Sequence, residues 1–169
     1  MGVGKPSMES DRNHWGWMWA IFTVRWVLGL IFFMAGWWKC FLFGSDPEVG
    51  ALKEQSRAFF VTWFKDTWIP EWLLWSLGMT IPVVELLAGA LLCLGLLRRP
   101  ACLAIAAILV TVTYGHLLLE PLFDTTSHIF PRLILLVLVM LAPQHLDRLS
   151  LDAVIGQLRG SNVSPRNDT

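Results

Sequence analysis

Glu85 is an acidic residue inside the apolar segment TIPVVELLAG, residues 80–89. A charged side chain at the centre of a bilayer costs about 2.5–3.5 kcal/mol on insertion scales, so it needs a partner or a function. Glu85 lies at helical spacing from Gly78 and Gly89, and such faces of small residues are where membrane helices pack closely. We therefore expect Glu85 to face the interior of a helix bundle, where a carboxylate can take part in proton transfer.

The cation Arg25 occupies a similar position in the preceding apolar segment, at helical spacing from Gly29 and Gly36. Counted along ideal helices, Arg25 lies about 15 Å, Glu85 about 20 Å and His116 about 24 Å from the same side of the membrane. Pairing of Arg25 with Glu85 is the default expectation, although helical side chains lean toward their own N-terminus and these two lean apart. Two interpretations stay open: a buried ion pair that fixes helix packing, or a proton-handling pocket that includes Glu85 and His116.

Aromatic residues and a second arginine are further candidates for a binding site. Trp37 and Trp38, with neighbouring phenylalanines, could wall a quinone slot, although packing is the simpler role for aromatic residues at helical spacing. Arg132 lies near the predicted outer end of the last apolar segment. No metal site is predicted, because the histidines are scattered and the cysteines lack metal-ligand spacing. The sequence also contains no covalent haem motif, flavin fingerprint or iron–sulfur spacing.

These residues lie in a chain whose composition is typical of membrane proteins. Of its 169 residues, 55% are hydrophobic and 15% are charged. The net charge is zero and no basic cluster is interleaved with aromatic residues, which argues against a nucleic-acid-binding protein. Each of four apolar segments is long enough to cross a hydrocarbon core of about 30 Å as a helix. These predicted spans are 15–38, 72–97, 101–119 and 127–146.

The predicted fold class is all-α: a four-helix transmembrane bundle with an amphipathic interfacial helix, 48–65, between the first and second spans. We expect residues 1–14 to form a cytoplasmic tail, 15–146 the membrane domain, and 147–169 a cytoplasmic amphipathic segment and disordered tail. Arginines in the turn after the second span place that turn and both termini in the cytoplasm by the positive-inside rule. The predicted location is the cell (inner) membrane of a bacterium or archaeon.

Several stretches of the sequence resemble the DoxX/DoxD-like family of membrane proteins: RWVLGLIFFMAGWWK, IPVVELLAGALLCLGLLRRPACLAIAAIL, TYGHLL and FPRLILLVLVML. The resemblance covers residues 25–141 and includes the polar positions Arg25, Lys39, Glu85 and Arg132. It implies a four-helix bundle that is either the membrane part of a thiosulfate:quinone oxidoreductase or an accessory subunit of a membrane oxidoreductase assembly.

The resemblance also implies roles for individual residues. Glu85 and His116 are the candidate catalytic residues, which would handle protons. Arg25 would keep Glu85 ionised, and Arg132 would attract an anion. The candidates for a quinone or anion pocket are Arg25, Trp37, Trp38 and Arg132.

The expected cofactor is a quinone, and the expected partners are membrane lipids and other membrane or peripheral oxidoreductase subunits. Because the sequence carries no motif for an electron carrier, we predict a membrane subunit of a quinone-linked electron-transfer complex with a structural or quinone-site role. The alternative is a membrane subunit of a thiosulfate:quinone oxidoreductase that acts directly in quinone reduction.

Overall fold

The computed structural model describes residues 8–42, 61–119, 129–143, 146–147 and 149–161. Its helices of more than ten residues are α1 (Met8–Trp37), α2 (Glu71–Leu94), α3 (Arg98–Leu119), α4 (Phe130–Leu141) and α5 (Leu151–Ser161). A π-helical turn, Trp38–Leu42, continues α1. The predicted class, an all-α bundle of membrane helices, is confirmed.

The lengths of the helices decide which of them can cross a bilayer. Within the described ranges, three segments are long and apolar enough to do so: Trp15–Phe41, α2 and α3. The apolar helix α4 has 12 residues, a rise of about 18 Å. The predicted fourth span, 127–146, extended too far, because Pro143 forces the preceding Ala142 into an extended conformation. The predicted interfacial helix, 48–65, lies mostly outside the described residues, although residues 61–64 are helical.

Apolar side chains cover the outside of these helices as well as their interior. Leu28, Leu92 and Ile105 are fully buried between the helices. Leu87 and Val110, on α2 and α3, point outward and are mostly exposed. Helices that are hydrophobic on all sides are suited to a bilayer, so the outer faces are surfaces for lipid contact.

Glycines bring α1 and α2 into close antiparallel contact. A Cβ atom on Gly29 would lie 2.8 Å from Cys93 Sγ, and one on Gly36 would lie 2.7 Å from the carbonyl oxygen of Pro82. On the facing helix, a Cβ atom on Gly89 would lie 2.7 Å from the carbonyl oxygen of Gly29. Larger residues at these positions would separate the helices, so the small-residue faces predicted from the sequence form this contact.

The turn between α2 and α3 is a glycine-dependent helix end. Gly95 has a φ of 69°, in the left-handed region that favours glycine. Its N–H donates to the carbonyl of Leu92 at 3.1 Å, and the N–H of Leu96 donates to that of Leu91 at 2.9 Å. This C-cap closes the last turn of α2 and allows α3 to begin at Arg98.

We predict that Gly89→Ala destabilises the folded protein by about 1–3 kcal/mol, because the added methyl group overpacks the α1–α2 contact. Unfolding of the purified chain in detergent would measure the change. Gly16→Ala is the matched control, since a Cβ atom on Gly16 meets nothing within 4 Å. Equal stability of the two variants would contradict the assigned helix contact.

Candidate functional site

A cavity of about 730 Å³ lies between α1, α2, α3 and α4 at the end of the bundle that contains Lys39, here called the Lys39 end. Its wall is mostly apolar, and aromatic residues of the segment before α2 contribute Trp63, Phe64 and Trp68. The ionisable residues Lys39, Glu85, His116 and Arg132 line it. The fold therefore brings Glu85, His116 and Arg132, candidates from different helices, to one cavity.

Lys39 and Glu85 form an ion pair in this cavity. Lys39 Nζ donates to Glu85 Oε2 at 2.7 Å and to Oε1 at 2.9 Å. The side chain of Glu85 is 6% exposed, whereas that of Lys39 is 37% exposed. The lysine therefore neutralises a buried carboxylate, while the lysine side chain itself stays partly exposed.

The backbone is irregular near both members of this pair, and these irregularities position the two side chains. Lys39 belongs to the π-helical turn Trp38–Leu42, and such turns are frequent at functional sites because they redirect side chains. Glu85 follows Pro82, which lies inside α2 and lines the cavity. Proline has no N–H, so the helical hydrogen bond to the carbonyl of Gly78 is missing. Both deviations lie close to the ion pair.

Arg25 does not pair with Glu85, so that prediction is wrong. The Arg25 side chain is fully buried, and its Nε lies 3.2 Å from Asp147 Oδ2. Its Nη1 donates to the carbonyl oxygens of Leu92 at 2.5 Å and Cys93 at 3.2 Å. Arg25 thus binds the C-terminal end of α2, where a helix leaves carbonyls unpaired.

The register of α1 against α2 explains this correction. The depth estimate assumed that Trp15 and Arg98 lie at the same level. In the structure Gly36 lies against Leu86, so Glu85 is level with a position about 16 Å along α1 from Arg25 at a rise of ~1.5 Å per residue. Because the helices are antiparallel, side chains that lean toward their own N-termini increase the separation.

Arg25 is part of a buried charge cluster at the opposite end of the bundle, here called the Arg98 end. Asp147 Oδ2 also lies 3.5 Å from Arg98 Nη1. Arg98 Nη2 donates to the carbonyl of Ala142, the C-cap of α4. Arg25 Nη2 donates to the carbonyl of Leu149 at 3.2 Å. The two arginines therefore attach the chain after α4 to the ends of α2 and α4.

His116 and Arg132 line the cavity without taking part in the Lys39–Glu85 ion pair. Both side chains are partly buried, and neither forms a hydrogen bond or ion pair within the part of the chain that the structure describes. Trp37 and Trp38 are exposed and do not contribute to the cavity lining. Trp37 packs instead against Phe41, with ring centroids 4.5 Å apart.

Sequence reasoning missed two partners of the buried charges. Lys39 directly follows the Trp37–Trp38 pair and lies one residue beyond the predicted first span, 15–38. Asp147 is the first residue of the segment predicted to be cytoplasmic, 147–169, yet it is 3% exposed. The unexplained charge on Glu85 was the signal for Lys39, since a buried carboxylate requires a cation. The buried charge on Arg25 likewise required an anion, but nothing in the sequence indicated that the chain after Pro143 folds back to supply it.

The cavity can bind a molecule with an apolar body and polar oxygen atoms. Its size is within the range of small-molecule pockets, about 300–1,000 Å³, which are apolar with a few placed polar groups. Arg132 and His116 offer N–H donors that are not engaged by described residues. The Lys39–Glu85 pair offers an ammonium and a carboxylate beside them. Together these groups can bind carbonyl or anionic oxygens and exchange protons with them.

A comparison with known protein families identifies the family of this chain. The family model for DoxX matches residues 20–117. The chain belongs to the DoxX family. The DoxX match contains Arg25, Lys39, Glu85 and His116, whereas Arg132 and Asp147 lie outside it. No curated protein and no solved structure matches the chain.

We predict energetic coupling between Lys39 and Glu85. Lys39→Met and Glu85→Gln, made singly and together, should show a coupling of about 0.5–3 kcal/mol in the free energy of unfolding, because each single change leaves the partner charge in the cavity. The 37% exposure of Lys39 places the expected value in the lower part of this range. Unfolding in detergent would supply the measurement.

The matched control is the Arg25–Glu85 pair. Arg25→Gln and Glu85→Gln should be additive within about 0.5 kcal/mol, because the two side chains have separate partners. Coupling here, with none between Lys39 and Glu85, would reverse the assignment of the ion pairs.

Proposed function

We propose that this DoxX-family protein is a membrane subunit of a quinone-linked electron-transfer complex and binds the quinone ring in the cavity at the Lys39 end. It is a multi-pass protein of a bacterial or archaeal cell membrane, with both termini in the cytoplasm. Other membrane or peripheral oxidoreductase subunits are its partners. The observation that carries this proposal is an apolar cavity that contains the Lys39–Glu85 pair, His116 and Arg132.

The residues of the cavity fit a quinone in size and chemistry. A quinone has a flat apolar ring, carbonyl oxygens that accept hydrogen bonds, and an apolar tail. Leu77, Ile81 and Ile108 supply an apolar wall. His116 and Arg132 supply donors for carbonyl oxygens. The cavity lies among helices with lipid-facing outer surfaces, which suits a ligand that enters from the bilayer.

A bound quinone supplies an acceptor for two electrons and two protons. In this proposal Glu85 pairs with Lys39 when the cavity is empty, and it accepts a proton and passes it on when quinone is bound. Lys39 is the more exposed member of the pair, so it marks the side from which protons enter. His116 would donate its N–H to a quinone oxygen, and a proton that it gives to that oxygen would be replaced from Glu85.

The alternative function is direct participation in a thiosulfate:quinone oxidoreductase. It is favoured by Arg132, a cation in the cavity lining for which the described residues provide no counter-ion. A guanidinium in such a position can bind an oxyanion through paired N–H groups. Thiosulfate-dependent quinone reduction that is lost in Arg132→Gln, while quinone remains bound, would favour this alternative.

We predict that Leu77→Trp lowers the amount of quinone that co-purifies with the chain from membranes, because the indole fills the cavity. Leu87→Trp is the control on the same helix, since Leu87 is 58% exposed and lies outside the cavity lining. Solvent extraction and chromatography of the purified proteins would measure quinone per chain. Equal quinone content in the two variants would place the ligand elsewhere.

We also predict that Glu85→Gln reduces the rate of quinone reduction in the assembled complex by about 10²-fold, because the amide cannot accept the transferred proton. Glu71→Gln, a change at an exposed glutamate of α2, should leave the rate unchanged. Subunit content must be the same in both preparations. A normal rate in a fully assembled Glu85→Gln complex would limit the ion pair to a packing role.

A further inference from the structure

A second cavity, of about 620 Å³, lies at the Arg98 end of the bundle, at the junction of α3 and α4. One part of its wall is cationic and is formed by Arg98 and Arg99. The other part is apolar and includes Leu103 and Met140. This cavity is separate from the proposed quinone cavity and shares no lining residue with it.

The ion pairs beside this cavity leave one cation over. Arg25, Arg98 and Arg99 provide three guanidinium groups, and the carboxylate that pairs with them in the described ion pairs is that of Asp147. Asp147 is shared between Arg25 and Arg98, and Asp152 is exposed. The described ion pairs therefore leave Arg99 as a surplus positive charge beside the cavity.

Arg98 is the buried member of the cavity wall. It is 7% exposed, and its Nη1 forms no hydrogen bond with any described residue, although Asp147 Oδ2 lies 3.5 Å away. Arg98 therefore contributes a buried positive charge to the cavity wall, while its guanidinium is held by Asp147 and by the carbonyl of Ala142. Arg99 is exposed and extends the cationic wall toward the outside.

The start of α3 adds to this positive potential. The helix dipole makes this end favourable for anions, although Pro100 has no N–H and the N–H of Ala101 already donates to the carbonyl of Leu97 at 3.0 Å. Phosphate groups bind at such positions in many proteins. Here the helix end, Arg98 and Arg99 lie together, so the potential and the side-chain donors favour the same anion.

The apolar wall identifies the rest of the ligand. Leu103 and Met140 are 60% and 49% exposed and continue from the cationic wall onto the outer face of the bundle. In a membrane this outer face contacts acyl chains. A phosphate at Arg98 and Arg99 with hydrocarbon on Leu103 and Met140 has the chemistry of a phospholipid.

We propose that the cavity at the Arg98 end is a binding site for an anionic phospholipid, with the headgroup phosphate at Arg98 and Arg99 and one acyl chain along Leu103 and Met140. The surplus positive charge selects a lipid with net negative charge over a zwitterionic one. Basic pockets between membrane helices commonly bind headgroups of anionic lipids. The bound lipid would also neutralise the charge cluster that attaches the segment after α4.

Titration of the purified full-length chain in detergent with dioleoyl phosphatidylglycerol and with dioleoyl phosphatidylcholine, followed by native mass spectrometry, tests this site. We expect one phosphatidylglycerol bound about fivefold more tightly than phosphatidylcholine, the equivalent of about 1 kcal/mol for one cation near the membrane surface. Equal affinity for the two lipids would overturn the proposal. Displacement of phosphatidylglycerol by millimolar inorganic phosphate would also overturn it, because the site would then recognise a free anion.

Two matched pairs of variants locate the lipid without removing Arg98. Arg99→Gln should weaken phosphatidylglycerol binding about fivefold, whereas Lys65→Gln, at an exposed cation near the other end, should not. Met140→Trp fills the cavity and should abolish the tight site. Leu138→Trp is its control on α4, with the same 49% exposure but outside the cavity lining. Equal effects of the two tryptophan substitutions would refute a site in this cavity.

Discussion

The close approach of α1 and α2 through glycine is the constraint on which both polar ends of the bundle depend. Gly36 and Gly89 admit the backbone of the opposite helix where a Cβ atom would collide. Contact at this distance fixes the register between the helices, because backbone against backbone leaves little freedom to slide. That register brings Lys39 to Glu85 at one end and Arg25 to the last turn of α2 at the other.

The buried charges are stabilised differently at the two ends of the bundle. At the Lys39 end one cation meets one carboxylate beside an open cavity, and the lysine keeps partial contact with its surroundings. At the Arg98 end two arginines share Asp147 and also bind the carbonyl ends of helices. The first arrangement leaves polar groups accessible to a ligand. The second uses most donors of Arg25 and Arg98 for structure, which attaches the chain that follows α4 and leaves the exposed Arg99 for a ligand.

Individual residues show which features of the site the sequence predicted and which it did not. The small-residue spacing around Glu85 correctly predicted that it faces the bundle, since it is 5% exposed. The pairing with Arg25 failed because counting from Trp15 and Arg98 treats two helix ends as level, and only packing reveals their relative shift. His116 was expected at the depth of Glu85 and Arg132 near the outer end of the last span, and both line the cavity with Glu85. Their chemical roles remain proposals.

The sequence by itself determined the all-α membrane class, the family, the positions of the long helices and the burial of Glu85. These follow from local hydrophobicity and helical spacing, which act within one segment. The tertiary structure decided that Lys39 pairs with Glu85, that Asp147 joins Arg25 to Arg98, and that Glu85 and Arg98 line separate cavities. Those features depend on the axial offset between helices, which is set by contacts between distant residues and has no signature in the sequence of either helix alone.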